Sequence, residues 1–336
     1  MAQTTAAGGD AAGDHTHGES VAEESAADGE GPGDAVGARG AGESCDALAL
    51  ADLAATHLLD DPGPAERHLR RALLIGDGTL PAEHLARLGS QLVMVVAGQS
   101  GRERELADVA LRAAARWEGI SAADASHLSF VAARAYHRAG RHAAAAAQFE
   151  RSLAAGSAPY PDIEMALLRG QYGKSLKLLG RYRAAAGQFI EAARLVRDVP
   201  GRSELRAELA WSAASALDTC GEDDRAYTAY LHAAELWGEL DRVGPRIRCL
   251  RAAAWLQHCA ATAGTAGASA TGASATGASA TGASATDASA AGSSEAGLRA
   301  MYGILAELEE LDPTPEVAVE LTNTRRQLAD MEAGRD

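Results

Sequence analysis

An all-α fold of stacked helical hairpins is what the sequence predicts, on three observations. Hydrophobic residues make up 47% of the chain but aromatics only 4%, so the apolar content is mostly alanine and leucine, which suits closely packed helices and not sheet. Three consecutive segments carry a turn glycine, an alanine five residues on and an aromatic four residues after that: Gly140, Ala145, Phe149; Gly180, Ala185, Phe189; and Gly221, Ala226, Tyr230. The copies follow one another at 40 and 41 residues, a period that belongs to helical repeat arrays.

Residues 1–44 open the chain with Ala, Gly, Asp, Glu and Ser, and with no large apolar residue beyond Val21 and Val36. Such a segment cannot offset the entropy of ordering and is expected to be a disordered acidic tail. It holds nine acids against Arg39 alone. His15 and His17 within it are two flexible ligands, too few for a metal site.

Residues 45–260 are expected to hold the repeats. Ala65, Leu69 and Ala72 mark the second helix of a first copy, and Ala107, Leu111 and Ala114 that of a second. The three strong copies follow, and Arg246 to Ala260 then reads as the first helix of a further hairpin. Its turn is replaced by residues 261–294, where Gly-Ala-Ser-Ala-Thr recurs from Gly267, Gly272, Gly277 and Gly282. Glycine at every fifth position breaks a helix, and collagen needs it at every third, so a flexible linker is expected. Lengthening a loop from about 4 to about 34 residues costs roughly 2 kcal/mol in closure entropy, which a packed array can absorb. In residues 295–336, Glu295 to Leu308 reads as the partner helix, and Pro315 to Glu332 as a last helix capped by Thr314. Its apolar residues Val317, Leu321, Leu328 and Met331 share a stripe, as a helix that seals the open end of an array requires.

The stretch Arg169 to Leu176, with Gly173 and Leu176 three apart, followed by Ala185, Phe189 and Ala192, resembles the tetratricopeptide repeat, whose pattern is W-x2-L-G-x2-Y followed by A-x3-F. Ala133, Tyr136, Ala145 and Phe149 match in the preceding copy; Ala214, Leu217, Ala226, Tyr230 and Ala233 match in the following one. The long period resembles the variety found in kinesin light chains and MalT-like regulators. The resemblance covers roughly residues 45–310. It implies a right-handed α-solenoid whose first helices line a concave groove, with protein or peptide partners and no cofactor.

Catalysis finds little support. Nucleophile, phosphate-loop and zinc-protease signatures are absent, and no residue is assigned a catalytic role. Cys45, Cys220, Cys249 and Cys259 are widely spaced without a C-x-x-C pair, which signals neither zinc nor a disulfide framework. His137 and His142 straddle Gly140 and are expected on different helices, so no metal is assigned. Glu222, Asp223 and Asp224 sit at a turn, where they favour the helix that follows. The apolar run Leu92 to Ala97 is far shorter than the roughly 20 residues a membrane helix needs, and a cytoplasmic protein without membrane contact is expected.

Charge locates a candidate site. The net charge is −15, yet residues 45–286 hold 26 acids and 26 bases, so the acidity lies in the two ends. Such ends repel nucleic acid. Within the neutral body, residues 134–206 carry thirteen bases against six acids. Arg134 and Lys174 hold the same place in neighbouring copies, as do His137 and Lys177, with Arg138 one step on. Stacked first helices would set Arg134, Arg138, Lys174 and Lys177 on one concave rung beside Gln171, suited to an acidic peptide or a carboxylate. The acidic tails of the chain are a second candidate occupant. The expected function is a non-catalytic protein-interaction scaffold or adaptor; the alternative is a regulatory sensor module that binds a small molecule or signal peptide.

Overall fold

The computed structural model describes residues 32–57, 60–154, 160–271 and 283–333, with side chains at 42–57, 60–154, 160–260 and 294–333. Among the described residues every regular element is a helix, and the helices pair in chain order. The pairs are α1 (Pro32–His57) with α2 (Pro62–Gly76), α3 (Ala82–Ala97) with α4 (Glu103–Trp117), and α5 (Ala122–Arg138) with α6 (His142–Ala154). They continue as α7 (Asp162–Leu178) with α8 (Tyr182–Leu195), α9 (Ser203–Thr219) with α10 (Asp223–Gly238), and α11 (Val243–Thr271) with α12 (Ala283–Glu310). A last helix, α13 (Pro315–Ala333), follows. The result is the all-α repeat solenoid expected, of tetratricopeptide-like hairpins.

The turn glycines are required by backbone geometry. Gly140, Gly180 and Gly221 have φ of 72°, 73° and 73°, the left-handed region that costs other residues a steric penalty. Each turn closes in the same way: Arg141 N–H donates to the Tyr136 carbonyl at 2.9 Å, Arg181 to Leu176 at 2.9 Å, and Glu222 to Leu217 at 3.0 Å. This bond from beyond the turn back to the last helical turn satisfies a carbonyl that would otherwise be orphaned. The end of α10 repeats the arrangement without glycine: Asp241 takes φ 54°, and Arg242 donates to Trp237 at 3.0 Å.

The repeated alanines and aromatics meet inside the hairpins. Ala145, Ala185 and Ala226 are fully buried, and Phe149 and Phe189 are 0% and 1% exposed. Gly173 shows why its slot is small: a Cβ there would lie 2.7 Å from the Phe189 ring. Between hairpins, Phe149 stacks on Tyr172 at 5.5 Å, and Phe130 meets Tyr160 edge-on at 5.6 Å. A second apolar cluster, including Ile247, Met301, Leu308, Leu328 and Met331, seals the end where α11, α12 and α13 meet.

The ends of the array lie outside the boundaries expected from composition. Helix α1 starts at Pro32, a residue suited to a first position because its missing N–H has no intrahelical partner there. Residues 1–31, with His15 and His17, lie outside the described residues. Helix α11 runs on to Thr271 and α12 starts at Ala283, so of the expected linker only 272–282 lie outside. Alanine, two residues in each five, is the best helix former, and the helix continues through Gly264 and Gly267 although each costs about 1 kcal/mol.

Candidate functional site

The first helices α5, α7 and α9 lie side by side through a repeated polar link. His137 Nδ1 is hydrogen-bonded to Ser175 Oγ at 2.8 Å, and one copy later Lys177 Nζ donates to Ser215 Oγ at 2.9 Å. The link takes Lys177 out of the expected rung: its ammonium is half-buried and engaged with α9. Gln171 is also half-buried, and its Oε1 has no hydrogen-bond partner.

Arg134, Arg138 and Lys174 remain exposed and have no ion-pair partner among the described residues. Arg138 and Lys174 converge on His137. Burial lowers the pKa of that imidazole, and the charges of His142, Lys174 and Arg138 push it the same way. The His137 and His142 rings, on different helices as expected, meet across the turn at 5.5 Å. Arg134 faces Tyr160, whose phenol is pushed up to about 12 by burial.

Beside Lys174 opens a cleft of about 470 Å3 that sequence reasoning did not find. Its α9 wall includes Glu204, Glu208 and Trp211, with Ser212 beside them; the first three are spaced i, i+4, i+7 and therefore lie on one helix face. Trp211 is 43% exposed. Arg248 of α11 and Glu316 of α13 line the far side, while Arg242 pairs with Glu204 at 2.8 Å. Trp237 forms part of the wall with its indole Nε1 buried and unpaired. Within this cleft the charges balance, Glu204, Glu208 and Glu316 offsetting Lys174, Arg242 and Arg248. The i, i+4, i+7 spacing of Glu204, Glu208 and Trp211 was the signal available in the sequence.

Helix α13 is anchored electrostatically as well as by its apolar stripe. Glu320, 3% exposed, faces Arg251 at 3.3 Å and Arg248 at 3.7 Å. Burial lowers the pKa of Arg251, the neighbouring Arg248 and Arg326 act in the same direction, and Glu320 opposes them. The buried face of α13 is Val317, Glu320, Thr324, Leu328 and Met331, so the stripe read from apolar residues alone missed its two polar members.

Among the described residues, no group of three or more His, Cys, Asp or Glu side chains is placed to hold a metal ion. No helix there is long and apolar enough to cross a membrane. No protein-family model matches the chain, and no curated protein matches it. Among solved structures, the chain is similar to a Podosopora anserina kinesin-light-chain-type protein with nearly identical TPR-like repeats, with a TM-score of 0.42, 14% identity, and coverage of 60% of this chain and 98% of that one. It is also similar to BtubC (BKLC) from P. vanneervenii, with a TM-score of 0.40, 16% identity, and coverage of 80% of this chain and 95% of that one.

Proposed function

We propose that the chain is a non-catalytic scaffold that holds a peptide segment of a partner protein along the face of its first helices. The observation that carries this reading is the cleft of about 470 Å3 that Trp211 lines beside Lys174. An exposed indole next to an unpaired cation is a chemistry that anchors peptides: the ring covers an apolar side chain, and the cation takes a carboxylate. The favoured peptide has acidic residues over Arg134, Arg138 and Lys174 and an apolar residue at Trp211. Lys177 and Gln171 support the rung from beneath instead of meeting the ligand.

The test is capture from an extract of the source cells with the full chain and two variants, Trp211→Ala and the double reversal Arg134→Glu/Lys174→Glu. A protein bound by the parent chain, weakened by both variants and released by added salt, is the expected result. Recovery of the same proteins at the same yield by all three baits defeats the assignment of this face. The sensor alternative predicts instead that a small metabolite raises the melting temperature of the chain.

A further inference from the structure

A second pocket, of about 240 Å3, lies between α8, α9 and α10. Its α9 wall is Arg206, Ala210 and Ala213. The cleft described above uses Glu204, Glu208 and Trp211 of the same helix. Two positions along an α-helix differ by about 200°, so the two openings lie on opposite sides of α9. The floor of this outer pocket is apolar, with Ile190, Leu236 and several alanines. Its rim carries three guanidinium groups: Arg194, Arg197 and Arg206 line it together with the His232 imidazole, and no acid does.

The same groove occurs earlier in the chain and serves as an internal control. The buried triplet Ala65, Leu69, Ala72 of α2 corresponds to Ala185, Phe189, Ala192 of α8. A pocket of about 280 Å3 lies between α2, α3 and α4 in the corresponding place. There Arg70 pairs with Glu66 at 2.9 Å and Glu105 at 2.5 Å, and an acid, Asp77, joins Arg112 and Arg116 in the lining, although neither Arg112 nor Arg116 has an ion-pair partner among the described residues. The triplet alignment places Arg197 where Asp77 stands. In the later groove Arg194 pairs with Glu191 at 3.1 Å and His232 with Glu235 at 3.6 Å, whereas Arg197 and Arg206 have no ion-pair partner among the described residues. Arg197 follows the C-terminal end of α8, where the helix dipole favours a cation. Arg206 has no such reason: it is half-buried at the fourth residue of α9, near the positive end of that helix.

We propose that this outer pocket binds a small organic carboxylate, its anionic end held by Arg197 and Arg206 and its apolar tail laid over Ile190, Ala213 and Leu236. A guanidinium fork matches a carboxylate in two-point geometry. At about 240 Å3 the pocket is small and suits a ligand of about ten non-hydrogen atoms. The site is separate from the peptide face and does not depend on it.

The test is calorimetry on the full chain with 3-phenylpropanoate, its neutral counterpart 3-phenylpropan-1-ol, acetate and inorganic phosphate. The carboxylate with the apolar tail is expected to bind more tightly than about 1 mM, ahead of the other three. Arg197→Gln/Arg206→Gln weakens it by about tenfold or more. Ala229→Leu, which fills the half-buried wall, does the same, with helicity and melting temperature checked by circular dichroism. Lys174→Glu on the other face leaves the affinity unchanged, which separates this site from the peptide face. No binding of 3-phenylpropanoate, equal binding of phosphate or the alcohol, or affinity indifferent to the arginine pair overturns the proposal. So does binding only of a synthetic acidic peptide spanning residues 10–31.

Discussion

The hairpins at the two ends of the stretch from α2 to α8 solve the same packing problem differently. Around α5 to α8 the slot after the repeat alanine holds Phe149 and Phe189, and rings bridge successive hairpins. Around α2 to α4 the slot holds Leu69 and Leu111, and a charged network joins the hairpins instead. Glu66 accepts from Arg102 at 2.6 and 2.8 Å, from Gln99 at 3.0 Å and from Arg70 at 2.9 Å. The Arg102 guanidinium holds the Glu66 carboxyl down at about 2, with Gln99 and Arg70 adding to it against the opposing effect of burial. A repeat unit thus tolerates a smaller filler where polar side chains tie it to its neighbour.

The largest test of this contrast removes a ring. Phe189→Ala is expected to cost about 3 to 5 kcal/mol in urea unfolding. Gly173→Ala pushes a methyl against the same ring and costs about 1 to 3 kcal/mol. Combined with Phe189→Leu its effect is less than additive, because the two changes share one space.

The charged block breaks with acid. The folded-state pKa of Glu66 lies below its ordinary 4.5, so its contribution is complete above about 4.5 and is lost as pH falls toward 2. Glu66→Gln is expected to cost about 1 to 2 kcal/mol at pH 7, after allowance for the solvent that reaches Arg70 and Glu105. The melting temperatures of variant and parent converge near pH 2; a constant gap across that range contradicts the role given to the network.

The turns give a smaller effect of both signs. Gly180→Ala forces a side chain into φ 73° and costs about 1 kcal/mol. Asp241→Gly relieves φ 54° at the end of α10 and gains up to about 1 kcal/mol by thermal unfolding. The smallest readout is an order of thiol labelling. Cys45 is exposed, whereas burial pushes the Cys249 thiol up to about 12. A maleimide at pH 8 is expected to modify Cys45 well before Cys249.

The parts of the fold that were legible before the structure are those in which one residue has one geometric reason. Gly140, Gly180 and Gly221 sit where φ must be positive, and Phe149 and Phe189 fill the space left by small partners, so their spacing alone announced the hairpins. The candidate site was less legible because a helix position does not say what reaches across from the next hairpin. Lys177 shares its register with His137 as expected, and both turn to a serine of the next first helix in place of solvent. Trp211 stood unremarked because an isolated tryptophan reads equally well as core. Glu320 was overlooked because a carboxylate on an apolar stripe looks like an interruption until Arg248 and Arg251 are placed opposite it.

Substantial packing is confined to consecutive helices, apart from α5 with α7 and α11 with α13. Among the described residues no distant segment clamps the ends together, so the stack is expected to loosen first at its extremities. A partner laid across α7, α9 and α11 would touch several hairpins at once and supply a long-range staple that is absent among the described residues. Occupancy would then be felt as stiffness along the whole rod, well beyond the residues in contact.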